Sequence, residues 1–263
     1  MFDKFSSRTF IRCALTIETA LSIGSRLSLQ PTGTDLPVMK GPDGSPFIPG
    51  SSIKGVIRFQ TERLLRGWNH KPDLWACDPF ASPCVTDKDR EDLWDDSKGE
   101  DATFSQKVWD ASCTACRLFG SPWFAGRVAI KDAYLIDTQH LVSVTQIRDG
   151  VGIDRDLGAA RAQIKYDFEV VIPGTRFGIE MVAENLEDWE LGLLLIVLRL
   201  WEEGEVALGG KSTRGLGWGK LAEIRLERVD QDTLLDYLTQ GVKKTVEPAT
   251  FLAAFRSKLG QGR

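Results

Sequence analysis

The chain has 263 residues, 42% of them hydrophobic, with a formal net charge of −4 and five cysteines. That is enough apolar material to build the core of one large domain or two small ones, and no long segment is poor enough in apolar residues to suggest wholesale disorder. The longest apolar run, residues 191–201, is too short to span a bilayer and contains Arg199, and residues 1–18 hold no secretory-type apolar stretch, so a cytoplasmic protein with no membrane contact is expected.

Residues 8–19 read as a strand, with Phe10, Cys13, Leu15 and Ile17 apolar among polar neighbours. Residues 24–47 are loop, rich in Gly, Pro and Asp. A helix is expected from Ser51 to about Trp68, with Ile53, Val56, Ile57, Leu64 and Leu65 on one broad face. Residues 69–112 have the character of an insertion: cysteines, prolines, charge and few strand signals. Within it, residues 87–101 carry eight acids and three bases, so the rest of the chain sums to about +1 and a local basic groove is permitted.

Residues 126–137 read as one strand, and the Gly-rich, polar residues 148–160 as a protruding hairpin or loop. Residues 161–184 read as paired strands joined at Pro173-Gly174. Residues 186–204 form a buried helix with acids in the first turn and Gly204 at its end. Residues 208–220 are a Gly-rich loop feeding a final strand, and the tail holds one or two short helices. This order is compatible with an α+β fold, a ferredoxin-like βαββαβ core carrying large insertions.

The cysteines give the most specific local pattern. Cys77 and Cys84 are followed by the CxxC pair Cys113 and Cys116, and two thiolate pairs brought together make a tetrahedral sulfur site suited to zinc. Four cysteines leave no open coordination position, so such a site is structural, stabilising an insert too small for a core of its own. Four unrelated cysteines is the competing reading, and His70 is a reserve ligand. Cys13, alternating within a strand, reads as a buried apolar residue.

The loop "LGGKSTRGLGWGK" lacks the P-loop spacing and precedes a strand, which excludes an NTPase P-loop. Its glycines with Lys211, Ser212, Thr213 and Arg214 suit close approach to a nucleic-acid backbone, or form a plain mobile turn. Upstream, Pro49-Gly50-Ser51-Ser52 opens a helix whose first amides and serine hydroxyls make an anion site, and Lys54 and Arg58, on the face away from Ile53 and Ile57, extend it. The alternative is an ordinary helix start with solvated cations. Acid–base candidates are scarce: His70 and His140 are the two histidines, neither in an organised motif, and Asp35 in "PTGTDLPV" is a lone acid in a loop. No G-x-S-x-G elbow, H-E-x-x-H helix or Rossmann fingerprint is present.

Taken together, "FIPGSSIKGVIR" and "GGKSTRGLGWGKL" resemble the paired signature of the RAMP superfamily. With "GTDLPV…DGSPFIPGSSIKG", "CRLFGSPWFAGRVAIKDAYL" and the "GIDR" hairpin, the chain is similar to the backbone subunits of type III CRISPR–Cas effector complexes, over about residues 8–228. The cysteine insert resembles the zinc-bearing backbone subunits of type III-D effectors. The resemblance implies a single RAMP domain over residues 1–263 with an RRM-like core, a zinc-binding insertion at residues 69–116 and a thumb hairpin at residues 142–168. It implies that Ser51, Ser52, Lys54 and Arg58 line a guide-RNA channel and that the Lys211–Gly217 loop, with Lys211, Ser212, Thr213 and Arg214, approaches its phosphates. The thumb, with Arg155 near its tip, would displace a nucleotide. Asp35 sits where such subunits carry the acid that cuts target RNA, with a divalent cation such as Mg. The implied partners are a CRISPR guide RNA, a complementary target RNA and other RAMP-type subunits. Two alternatives stay open: a non-catalytic guide-binding copy, and a guide-processing endoribonuclease.

Overall fold

β1 (Ser7–Ile17) is the strand around which the rest assembles. Its odd-numbered residues Ile11, Cys13, Leu15 and Ile17 are buried on one face. Phe10, expected among them, lies on the opposite face, where its ring meets Tyr237 at 5.9 Å, because strict alternation separates positions 10 and 11. The computed structural model describes residues 3–24, 34–139 and 141–261; residues 25–33 of the first loop, and His140, lie outside the described residues.

On one side β1 pairs antiparallel with β6 (Arg176–Glu184), from Arg8 opposite Glu184 to Thr16 opposite Arg176. On the other side it pairs antiparallel with β7 (Gly219–Asp230), with a bulge between Arg12 and Ala14. The outer edge of β6 carries the short strands β2 (Val128–Ile130) and β3 (Tyr134–Ile136), and β7 carries β8 (Lys244–Thr245). Helix α1 (Gly50–Trp68) links β1 to β2, and α5 (Asp188–Glu202) links β6 to β7. The sheet order is therefore fourth, first, third, second around two helices, the α+β ferredoxin-like arrangement.

Both helices bury their apolar residues in one cluster with the sheet: Ile53, Ile57 and Leu65 from α1, Leu191, Leu194 and Leu198 from α5, and Phe177 and Ile179 from β6. Each such fully buried side chain contributes about 1.5–3 kcal/mol. The tail is more substantial than short helices. α7 (Pro248–Gln261) covers the outside of α5 with buried Phe251 and Phe255, and Phe255 meets Trp68 at 5.3 Å; α6 (Leu234–Gln240) precedes it. Among the described residues, no helix is long and apolar enough to cross a membrane.

Two expected elements are arranged differently. Residues 126–137 are two strands, not one. The chain leaves the sheet at Asp132, whose carboxylate accepts the Gly50 amide at 2.7 Å, while Ala133 and Ile48 exchange backbone bonds of 2.8 and 2.9 Å. That detour fixes the entry to α1. It also explains Gly50, since a Cβ there would stand 2.3 Å from the Ile130 carbonyl. The strands flanking Pro173-Gly174 exist but do not pair with each other. β5 (Ala160–Val171) pairs with β4 (Thr145–Ile153) in a separate two-stranded hairpin. The end of β1 takes the turn between them: Gly174 N–H donates to the Ile17 carbonyl at 2.7 Å and Ile17 N–H to the Thr175 carbonyl at 2.9 Å, which turns β6 into the main sheet.

The open face of the sheet is an ion-pair lattice. Arg12 joins Glu180 and Glu227, Arg8 joins Glu184, and Arg176 joins Asp137 and Glu223. An RRM reads single-stranded RNA on this face with aromatic rings. Here Arg8, Arg12 and Arg176 are matched by carboxylates, while Arg225, opposite Arg12 on β7, is exposed.

The insertion is helical. The acidic stretch forms α2 (Asp87–Asp96), opened by a reciprocal cap in which Asp89 N–H donates to the Thr86 hydroxyl and Thr86 N–H to the Asp89 carboxylate. α3 (Asp101–Ala111) folds back on it through an edge-on contact of Trp94 and Phe104 at 5.1 Å, and α4 (Thr114–Phe119) returns the chain to the core.

Candidate functional site

The four cysteines of the insertion meet. Cys113 is the N-cap of α4 and Cys116 lies in its first turn, so the CxxC spacing turns both sulfurs to one side. The loops bearing Cys77 and Cys84 close over them, and all four Sγ atoms lie within 4.8 Å of one another. Cys113 and Cys77 are 3.6 Å apart and Cys77 and Cys116 3.8 Å. Four sulfurs bonded at about 2.3 Å to one zinc ion stand about 3.8 Å apart in a tetrahedron. The same distances exclude disulfides.

Cys77, Cys113 and Cys116 are buried and Cys84 half-buried. Packed thiols compete for protons. Hydrogen bonds from Cys116 and Cys77 lower Cys113 to about 7, whereas the Cys113 hydrogen bond raises Cys116. A dication that converts all four to thiolates removes that conflict. His70 stands outside the cluster; its backbone is paired with Leu74.

Arg58 belongs to this centre, which corrects its expected orientation. Its guanidinium donates to the Glu62 carboxylate at 2.8 Å and the Gly120 carbonyl at 3.0 Å, with Nη2 3.7 Å from Cys116 Sγ. Glu62, itself buried, also accepts from Arg66, which donates to the Cys77 carbonyl at 2.6 Å. One face of α1 thus carries Arg58, Glu62 and Arg66 at four-residue spacing, holding both ends of the cysteine cluster. The surface beside it is a largely apolar cavity of about 1170 Å³ lined by Phe59, Phe80 and Trp123, not a basic channel.

The start of α1 is also less open than its sequence suggests. The Gly50 amide is held by Asp132, and the Ser52 and Ile53 amides point at the Pro49 carbonyl. What faces outward is exposed Ser51, half-exposed Ser52 and half-buried Lys54, whose pKa is lowered by burial and then by Arg58 one turn away.

Asp35 lies on a segment stitched to the hairpin. Its N–H donates to Asp167 Oδ1 at 2.7 Å, and Asp167 N–H donates back to Asp35 Oδ2 at 3.1 Å. Two residues on, Glu169 N–H donates to the Leu36 carbonyl at 3.0 Å. The buried Glu169 carboxylate accepts from Val38 N–H at 3.2 Å and Lys40 Nζ at 2.7 Å. Burial alone raises its pKa, but Lys40, Thr145 and the Val38 amide outweigh burial and hold it below the usual glutamate value.

The Gly-rich loop reaches the same place. Lys211 Nζ stands 3.9 Å from the centre of the Phe168 ring and 5.8 Å from Tyr166. Leu216 packs with Phe168, Val170 and Ala20, and Leu36 joins them. The loop is not free to wander: a Cβ on Gly217, φ +80°, would stand 2.0 Å from the Leu208 carbonyl, so the backbone closes on itself there. Thr213 and Arg214 remain exposed, and Ser212 half-exposed.

The fold therefore gathers Asp35 and Lys211 at the hairpin base and the cysteines with Arg58 on α1. Arg155 is apart from both. It is exposed in the turn that closes the hairpin, where Asp154 Oδ1 accepts the Asp156 and Leu157 amides. From there to Asp167, seven residues of strand span about 23 Å. The sequence reading missed Asp167, Glu169, Asp132 and the Glu62–Arg66 pair. The "YDFE" alternation of ring and acid in β5 was the available signal for the first two.

The sequence profile of the RAMP superfamily matches residues 7–220. Among curated proteins, the chain is similar to the "CRISPR system Cms endoribonuclease Csm3" of Methanocaldococcus jannaschii, 27% identical over 223 residues that cover 81% of this chain and 77% of that protein. It is also 27% identical over 251 residues to the protein of the same description from Streptococcus thermophilus, covering 87% and 95% of the two chains.

Proposed function

The chain belongs to the RAMP superfamily, and from that premise we propose that it is a guide-RNA-binding backbone subunit of a type III CRISPR effector that cuts the complementary target RNA. The endoribonuclease description of its relatives supports the activity. The observation that carries the reading is that adjacent residues at the base of the hairpin, Asp167 and Phe168, hold Asp35 and the Lys211 loop. Guide-phosphate contacts from Lys211–Arg214, and from Ser51, Ser52 and Lys54 at the mouth of α1, hold the RNA without reading its sequence, which base pairing supplies. Arg58 serves this surface indirectly, by fixing α1 to the cysteine cluster.

The hairpin, with Arg155 at its turn, displaces one nucleotide of the duplex. The freed linkage aligns its 2′-hydroxyl with the adjacent phosphorus. Asp35 takes the 2′-hydroxyl proton, the 2′-oxygen bonds to phosphorus and the bond to the 5′-oxygen breaks; the leaving 5′-oxygen takes a proton from water, giving a 2′,3′-cyclic phosphate and a 5′-hydroxyl. A divalent cation such as Mg, when bound, neutralises charge on the phosphate. The four-cysteine centre fits structural zinc and takes no part in the reaction. The protein works in the cytoplasm, alongside other RAMP-type subunits.

Reversing Lys54 and Arg214 together to Glu tests the RNA surface. Guide affinity is expected to fall at least tenfold at moderate salt, with the salt slope reduced by roughly 1.4 for two lost single-strand phosphate contacts. Guide binding with an unchanged slope would undo this assignment.

A further inference from the structure

We infer that Asp167, on the hairpin, is the positioning residue for Asp35, so that the cleaving acid is carried by the same element that displaces the nucleotide. This rests on the reading of Asp35 as the acid that cuts. Asp35 is exposed and lies in a loop, a poor setting for holding a carboxylate in one orientation. The reciprocal pair supplies the missing rigidity. The Asp167 carboxylate fixes the Asp35 backbone through its amide, and the Asp167 amide fixes one oxygen of the Asp35 carboxylate. The described bond engages Asp35 Oδ2, and Oδ1 is the oxygen assigned to the base.

The clasp continues along residues 36–40. Glu169 ties the Leu36 carbonyl, the Val38 amide and Lys40 to the same strand. At the other end the segment returns to the core, with Met39 N–H donating to the Ile23 carbonyl at 2.9 Å. Asp167 and Glu169 alternate with Tyr166 and Phe168, which carry Lys211. One four-residue stretch of β5 therefore registers the acid on one side and the phosphate loop on the other. Movement of the hairpin against a duplex moves the acid with it.

The test uses the complete effector, reconstituted with guide, and single-turnover cleavage of a complementary RNA. Asp167→Ala removes the acceptor for the Asp35 amide and is expected to slow cleavage at least tenfold, with target affinity unchanged. Asp167→Asn keeps an acceptor oxygen and is expected to restore the rate to within about threefold. An unchanged rate in Asp167→Ala overturns the inference. So does an Asn variant as slow as the Ala variant, which would mean that the charge acts directly.

Asp35→Ala run in parallel separates the two readings. If it cuts normally, the assignment of Asp35 fails and the inference with it. If it is inactive while Asp167→Ala cuts normally, the inference fails alone. Should Asp167→Ala not assemble, amide exchange in the free subunit decides: faster exchange at Asp35 supports the clasp, and unchanged exchange overturns it.

Discussion

Replacing Asp35 with Ala is expected to lower target-RNA cleavage at least a hundredfold, the span assigned to a positioned general base. Guide content and target affinity should not change, because Asp35 makes none of the contacts assigned to the guide. Its described hydrogen bonds run only to Asp167. Residual product, if detectable, should keep a 2′,3′-cyclic phosphate end, since the 2′-hydroxyl remains the nucleophile. Undiminished cutting in the presence of divalent metal would mean that this subunit holds the guide while the chemistry lies elsewhere.

The second large effect concerns the cysteine centre. Purified protein should carry about one zinc per chain, and Cys113→Ser or Cys116→Ser should lose it. A structural zinc site carries apparent binding energy on the order of 10 kcal/mol, far more than Val85 and Val108, the buried apolar side chains between Cys84 and Cys113, contribute. Stripping the metal should therefore melt residues 77–112, leave Leu118 and Phe119 packed in the core, lower the Tm and weaken guide retention through α1. Arg58→Ala should have a graded version of this outcome, with zinc kept but released roughly tenfold faster, because the guanidinium contacts both Cys116 Sγ and the Gly120 carbonyl. Zinc well below one per chain, or a Tm indifferent to chelators, would reject the centre.

Much of this architecture is written in local pattern. The period of β1, the amphipathic α1 and the apolar α5 each announce their element and their buried face, and their order yields the ferredoxin-like core. The CxxC pair is legible for the same reason: its spacing alone puts two sulfurs on one side of a turn. Pairing decided over long sequence distance is not legible. Nothing near residue 173 shows that β5 leaves with β4 while β6 joins β1, since that is settled by Ile17. Nor does the helix start reveal Asp132, which lies 82 residues away and takes the first amide.

Arg58 is instructive in the same way. One turn beyond Lys54 it reads as a solvent cation; Glu62 lies on its own helix, but the return of residues 113–120 to α1 adds the Gly120 carbonyl and Cys116 Sγ. Asp35 is the extreme case. Its own neighbours mark a loop, and its setting comes from Asp167, 132 positions later. The residues that build the fold signal through period; those that build the site signal through partners the period does not name.

The most direct measurement is the RNA that accompanies the protein when its native assembly is purified and then challenged with a complementary strand. RNA of discrete length is expected, with cuts in the complementary strand at regular intervals. An assembly free of RNA, or holding RNA of random length and leaving the complement intact, would contradict the proposed function.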